Sequence, residues 1–383
     1  MKILSFTYED KARQWQLMPV TFGQLTLLVG ASGVGKTQIL RALHNLVKIS
    51  RGDALNGVKW RLEFTTAPGE HYLWEGEFEQ QDSGPDFLSS NNGSDKKNPP
   101  KIIWETISHN EKRIVERDKQ DIIFNEQKTV RLPQTKSVIN LLQEEDKIGI
   151  INRHIALIVL TDTIKPPGQL VYRDLGIQID KFPSLKKIRN SAESIRTKLY
   201  LCSIIAPHIF ELIKQRFIEV FTFVEDVRVY AKELHLTANS DPTKSPLGIY
   251  PFIQVKERGV DSWIEEAYIS SGMYRTLLQI SELYLCAEGT VFLIDEFENS
   301  LGVNCLDDLM SVMLTYERDL QFIITSHHPY IINNISYEHW KIVTRLGGEV
   351  TVRDATEFNL GRSKHQAFTQ LVNLDEYIEG VAA

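Results

Sequence analysis

Three short runs open the chain as predicted strands: "KILSFTY", "QWQLMPV" and the wholly apolar "LTLLVG". A helix follows in "KTQILRALHNLVK", where Ile39, Leu40, Leu43, Leu46 and Val47 recur at helical spacing. Two further runs, "VKWRLEFTT" and "HYLWEGEFE", read as a hairpin turning around Pro68 and Gly69. The stretch from Gln80 to Pro100 is polar and rich in Gly, Ser, Asn and Pro, which predicts a mobile loop. Beyond it "KIIWETIS" and "KRIVERD" return to strand character.

From about Pro183 to Phe223 the pattern turns helical, long enough for one or two helices, with Pro207 interrupting. No heptad repeat lasts long enough for an extended coiled-coil arm. "DVRVYAKELHL" and "YPFIQVKE" read as strands again. "VFLIDEF" and "LQFIITS" are apolar and bounded by polar residues, the mark of buried parallel strands. These elements predict an α/β fold in three parts: an N-terminal lobe over 1–160, a helical inserted lobe over 161–249 and a C-terminal lobe over 250–383.

Composition narrows the class without deciding it. The chain has 383 residues, 42% hydrophobic and 24% charged, ordinary for a soluble globular protein. A net charge of −7 excludes a uniformly basic nucleic-acid binder, though not a local basic patch. Three scattered cysteines without a C-x-x-C pair fit a reducing cytoplasm and argue against a zinc site. No apolar run approaches the length of a membrane span, and the first residues turn charged too soon for a signal peptide.

The candidate chemistry starts at "GASGVGKT", which fits G-x-x-x-x-G-K-T with an apolar strand before it and an amphipathic helix after it. In such a loop backbone N–H groups turn inward around phosphate oxygens, and the helix N-terminus adds a favourable dipole. The candidate ATP-binding residues here are Gly30, Ala31, Ser32, Gly33, Val34, Gly35, Lys36, Thr37 and Gln38. Lys36 is expected to bridge the β- and γ-phosphates, and Thr37 to hold Mg²⁺ through its hydroxyl. "VFLIDEFENS" ends a strand in Asp295 and Glu296. Asp295 suits the Mg²⁺ shell, and Glu296, one residue further, suits general-base activation of water.

Lys36 and Asp295 are 259 positions apart. Compact phosphate-loop enzymes set these two motifs, Walker A and Walker B, much closer. A chain that splits them this widely resembles the ABC-type ATPase heads of the SMC, RecF and OLD groups. The resemblance implies a P-loop NTPase fold of ABC-head type: a mixed-sheet core with an inserted β-rich and helical lobe. In these families a signature motif, roughly L-S-G-G or L-S-S-G followed by K-R, lies shortly before Walker B. "ISSGMYR" matches it at Ser270, Ser271 and Gly272, and Asp295 follows Ser271 by 24 residues. Ile269 replaces the leucine, Arg275 falls where many such proteins carry a basic residue, and Met273 and Tyr274 depart from the usual polar pair. Taken alone the turn is a helix cap, with Ser270 or Ser271 accepting a helical N–H bond. The resemblance adds that its N–H groups face ATP held by another subunit.

The same resemblance, through T-[ST]-H-x-P in "QFIITSHHPYIIN", makes His327 the switch histidine. Such a histidine hydrogen-bonds the γ-phosphate or the attacking water. His328 reads as a structural neighbour; the pair could suggest a metal, but no carboxylate or thiol lies at useful spacing. Glu298, Asn299 and Leu301 match the D-loop region, with Gly302 and Val303 where many relatives have histidine and proline. No Q-loop is evident beyond the candidates Gln80 and Gln81. Tyr8 and Trp15 read as core, with adenine stacking as the alternative.

The implied activity is Mg²⁺-dependent ATP binding and hydrolysis in a head-to-tail homodimer or higher homo-oligomer. The compact head, with "IDEFENSLG" and "ITSHHP", is similar to ATPases of bacterial anti-phage cassettes, including Septu-like and retron-associated systems. The chain after His327 is too short for the Toprim nuclease domain of OLD proteins, so that likeness implies a sensor or regulator of a separate effector, a nuclease or toxin. Two rivals remain: a RecF-like or SMC-like ATPase that binds DNA in repair or maintenance, and a non-hydrolysing, nucleotide-dependent scaffold. Lys186, Lys187, Arg189, Arg196 and Lys198 read as a solvated face, with a patch for nucleic acid or an acidic partner as the alternative.

Overall fold

The computed structural model describes residues 1–66, 69–81, 98–161, 178–234, 248–298, 318–358, 360–361 and 364–381. The strands in chain order are β1 (Lys2–Asp10), β2 (Trp15–Thr21), β3 (Leu25–Val29), β4 (Val58–Thr65), β5 (His71–Phe78), β6 (Ile102–His109), β7 (Lys112–Arg117), β8 (Ile122–Phe124) and β9 (Gln127–Lys128). They continue as β10 (Ile158–Leu160), β11 (Val224–Leu234), β12 (Gly248–Glu257), β13 (Ile264–Glu265), β14 (Val291–Ile294), β15 (Gln321–Thr325), β16 (Trp340–Leu346) and β17 (Glu349–Asp354). The helices include α1 (Lys36–Ser50), α2 (Val138–Leu141), α3 (Asp146–Ile155), α4 (Leu185–Arg189), α5 (Ile195–Ile205), α6 (Pro207–Val220) and α7 (Ser271–Leu285).

The chain divides into two compact units, the first comprising Met1–Asp162, Gly289–Phe297 and Asp319–Ala383. It holds one mixed sheet, fourteen strands among the described residues, in the order β10-β14-β15-β3-β16-β17-β2-β1-β4-β5-β6-β7-β8-β9. The fold is α/β, and its sheet has two characters. From β10 to β16 every neighbour is parallel. From β2 through β9 every neighbour is antiparallel. The sequence explains the division. β3, β14 and β15 are buried along their whole length, as unbroken apolar runs require, whereas β4 and β5 alternate buried with more exposed positions. The hairpin read from "VKWRLEFTT" and "HYLWEGEFE" is the β4–β5 pair; its turn residues 67–68, and residues 82–97 of the predicted mobile loop, lie outside the described residues.

α1 buries Ile39, Leu40, Leu43, Leu46 and Val47, the positions its periodicity marks. Gln321 on β15 is 1% exposed and ties three segments: its amide donates to the Ile3 and Gly23 carbonyls and accepts the Ile3 N–H. Further along, buried Glu105 on β6 accepts from Trp74 Nε1, Ser137 Oγ and the Val138 N–H, anchoring the antiparallel strands to the start of α2.

The second unit comprises Thr163–Glu288 and Glu298–Arg318. It packs α5, α6 and α7 with one another and carries the antiparallel sheet β11-β12-β13. Pro207, the interruption seen in the sequence, is the first residue of α6, where a proline lacks nothing the helix needs. The sequence division between residues 249 and 250 falls inside β12. β12 pairs with β11 over ten residue pairs, so residues 250–288 belong to the unit that holds the helices before them.

Candidate functional site

The phosphate loop joins β3 to α1, and its path demands glycine. Gly30 has φ +150°, and a Cβ there would lie 2.4 Å from the Val343 carbonyl oxygen on β16. Gly33 has φ +83° with open space around it, so its requirement is purely conformational. α1 begins without a side-chain cap, which leaves its first N–H groups for a ligand. Ser32 and Gly33 are exposed, while Val34, Gly35 and Lys36 are buried. The Lys36 ammonium, 5% exposed, donates to the Gly30 and Ala31 carbonyls at 2.8 Å each, curled back over the loop.

Parallel pairing then collapses the long sequence separation. β14 pairs with β15, and β15 with β3, in parallel register, so the C-terminal ends of all three strands stand side by side. Ligands of open parallel sheets bind at such strand ends. There the Thr37 hydroxyl donates to Asp295 Oδ1 at 3.0 Å across 258 positions of sequence. Thr325, at the end of β15, donates to the same Asp295 oxygen at 2.7 Å, and its hydroxyl oxygen accepts the Glu296 N–H at 2.8 Å. Glu296 itself is exposed and has φ +43°, a left-handed conformation that costs a non-glycine residue about 1–2 kcal/mol. Thr325 therefore braces a strained turn and fixes the carboxylate beside it. In the sequence Thr325 stands only as the first residue of T-[ST]-H-x-P; a hydroxyl that ends the apolar run Phe322–Ile324 just before the histidine pair is the signal for its role.

His327 is exposed immediately beyond β15, in the same unit. His328 acts structurally: its Nδ1 accepts the Tyr330 N–H at 3.3 Å as the cap of the helix Pro329–Asn334. Among the described residues no three His, Cys, Asp or Glu side chains gather as metal ligands. The hydroxyl of Thr37 and the carboxylate of Asp295 nevertheless suit Mg²⁺, which takes one or two protein oxygens and completes its shell with phosphate and water. Of the other candidates, Tyr8 and Trp15 are buried with ring centroids 5.8 Å apart, which is core packing. The Gln81 side chain donates to Glu79. Asn299, Leu301, Gly302 and Val303 lie outside the described residues.

The turn at "ISSGMYR" belongs to the second unit. Ser270 is the N-cap of α7, its Oγ accepting the Met273 N–H at 3.2 Å, and Ser271 is the first helical residue. Ser270 and Ser271 are exposed, as is Tyr268, at 83%. Met273 and Tyr274, the departures from the expected polar pair, are buried, which is why the helix carries an apolar and an aromatic residue there. The cationic stretch before it differs from the solvated face its sequence predicts. Arg196 is 4% exposed and paired with Glu266, Arg189 Nε donates to the Tyr284 carbonyl, and Lys198 donates to the Arg189 carbonyl. Three of the five cations thus hold the unit together rather than form a solvated face.

Residues 211–333 match a family model described as "AAA domain, putative AbiEii toxin, Type IV TA system". That stretch includes Ser270–Gly272, Asp295, Glu296 and His327 and leaves out the phosphate loop. No curated protein matches the chain significantly. Among solved structures the chain is similar to an SMC head bound to the C-winged-helix domain of ScpA, at 13% identity over 92% of this chain and 97% of that one, with a TM-score of 0.49. It is also similar to an SMC head domain from Thermotoga maritima (12% identity, 92% and 99% covered, TM-score 0.43). A third is an Smc head with an extended coiled coil, bound to the C-terminal domain of ScpA from Pyrococcus furiosus (12% identity, 97% and 99% covered, TM-score 0.47).

Proposed function

We propose that the protein is a Mg²⁺-dependent ATPase of ABC-head type that works as a head-to-tail dimer. The observation that carries this reading is the contact of Thr37 with Asp295 at the mouth of the phosphate loop, with Glu296 next in the chain. A phosphate loop alone binds nucleotide. A carboxylate brought to the hydroxyl that follows its lysine adds a cation site, and a second, exposed carboxylate adds a base.

In the working site the Lys36 ammonium exchanges the Gly30 and Ala31 carbonyls for phosphate oxygens, trading neutral acceptors for charged ones. The loop N–H groups and the start of α1 hold the rest of the anion. Bound Mg²⁺ supplies charge neutralisation on the phosphates, held through Thr37 and Asp295. Glu296 takes a proton from the attacking water, and His327 orients that water or the γ-phosphate by a hydrogen bond. Ser270, Ser271 and Gly272 of a second copy complete the site, the start of α7 being as suited to an anion as the start of α1.

We further propose that turnover regulates a separate effector, a nuclease or toxin in a defence or toxin–antitoxin setting. The match of residues 211–333 to a family described as a putative toxin of a type IV TA system motivates the setting; the separate effector rests only on the sequence likeness to ATPases of anti-phage cassettes. A DNA-binding role has less to stand on, since Arg189, Arg196 and Lys198 are engaged within the protein. No described helix is long and apolar enough to cross a membrane.

The test is Glu296→Gln. The amide keeps the volume but cannot take a proton, so turnover falls about 10²–10⁴-fold while ATP binding survives and the ATP-bound dimer accumulates. Full turnover by that variant would remove Glu296 from the reaction.

A further inference from the structure

One buried ion pair brackets the exposed turn at the start of α7. Arg196 on α5 is 4% exposed and Glu266 is 3% exposed. Arg196 Nη2 donates to Glu266 Oε1 and to Tyr274 Oη, both at 2.5 Å, and Nη1 donates to Tyr250 Oη. Tyr274 Oη in turn donates to Glu266 Oε1 at 3.3 Å. Glu266 Oε2 accepts the Ile253 N–H of β12 at 3.1 Å. Glu266 precedes Ser271 by five residues and Tyr274 follows it by three. Both ends of the segment are therefore fixed to one guanidinium, which is itself fixed to the three-stranded sheet. Between them Ile269 turns inward, 5% exposed, while Tyr268, Ser270 and Ser271 stay outside.

A packed apolar cluster would hold the same elements at least as well, because desolvating two charges offsets most of their attraction. What such a pair adds is directional geometry, and the geometry it specifies here is that of the turn. We propose that Arg196, Glu266 and Tyr274 are positioning residues for the turn Ser270–Gly272. On this reading, which rests on the proposed shared ATP site, they set how fast the assembled dimer turns over and leave ATP affinity at the phosphate loop unchanged.

The test compares wild type, Tyr274→Phe, Ser271→Ala and the double variant for steady-state ATP turnover, with ATP affinity by calorimetry and folding by thermal melts. Tyr274→Phe deletes one oxygen and keeps the ring. It lowers kcat about 3–10-fold with ATP Kd unchanged within about twofold. In the Ser271→Ala background the same change costs less than about twofold, because residues acting through one group are not additive. Glu266→Gln, which keeps the shape and removes the charge, lowers kcat further; if it fails to fold, Tyr274→Phe carries the test alone. Wild-type turnover in Tyr274→Phe while Ser271→Ala is slow would overturn the bracket, and so would an equal loss in both backgrounds or a weakened ATP Kd. Wild-type turnover in both Ser271→Ala and Ser271→Arg would instead remove the shared site, and the bracket with it.

Discussion

Replacing Thr325 with valine removes one hydroxyl from the point where three strand ends meet. The side chain is 1% exposed, so no water takes the place of what is lost. Its O–H donates to an Asp295 carboxylate oxygen at 2.7 Å, a bond to a charged group worth about 1.5–3 kcal/mol. Its oxygen also accepts the Glu296 N–H at 2.8 Å, a neutral bond worth about 0.5–1.5 kcal/mol. Together they contribute about 2–4.5 kcal/mol, and the second bond holds the φ +43° turn that presents Glu296. Valine keeps the branched shape and the strand, so the fold survives with a lower melting temperature. If about half of the lost energy is felt in the transition state, kcat falls about 5–45-fold. ATP affinity changes less than about threefold, because the loop and Lys36 are untouched. Phosphate release at saturating MgATP, paired with calorimetric ATP titration, measures both. Thr325→Ser restores the hydroxyl and stays within about threefold of wild type. Wild-type turnover in Thr325→Val, or a serine variant as slow as the valine one, would refute the brace.

Lys36→Ala removes the ammonium proposed to contact phosphate in the ground state, so the ATP Kd rises by at least about tenfold in calorimetry; an unchanged Kd would contradict its role. Gly30→Ala drives a Cβ against the Val343 backbone oxygen and lowers stability by about 2–4 kcal/mol, whereas Gly33→Ala, with open space, costs about 1–2 kcal/mol; chemical denaturation distinguishes them. Burial pushes Glu282 on α7 up to about 7 from 4.5, with Lys198 opposing. Its contribution to stability is complete below pH 4.5 and is lost as pH rises through 7, by up to about 3 kcal/mol before solvent screening of this half-buried side chain. Glu282→Gln therefore raises the melting temperature more at pH 8 than at pH 4; equal shifts would count against the buried carboxyl.

What the sequence disclosed was whatever one segment decides for itself. The periodicity of α1 named its buried face, and the apolar runs of β14 and β15 marked strands buried on both sides. The glycine loop and the paired acidic residues were legible because each needs only its neighbours. Long-range pairing was not legible. Nothing local says that β16 sits beside β3, yet the Val343 carbonyl on β16 is what makes Gly30 obligatory. Thr325 became visible only when parallel register set it against Asp295. Arg196 misled for a related reason: a cation in a run of basic residues reads as solvated until its partner is known, and Glu266 lies 70 residues on. The same distance effect split the expected C-terminal lobe, since β12 takes its partner from the segment before it.

In the proposed dimer each ATP is worked on by the phosphate loop of one copy and Ser270–Gly272 of another. Mixing Lys36→Ala with Ser271→Arg tests it most directly. Neither variant turns over alone: one lacks its phosphate contact, and the other carries a bulky side chain in the closed interface. After labelled subunit exchange at equal amounts, half of the dimers are mixed, and each has one site built wholly from intact motifs. Turnover should recover to about a quarter of the wild-type value. A mixture no more active than the sum of its parents, with exchange complete, would contradict it.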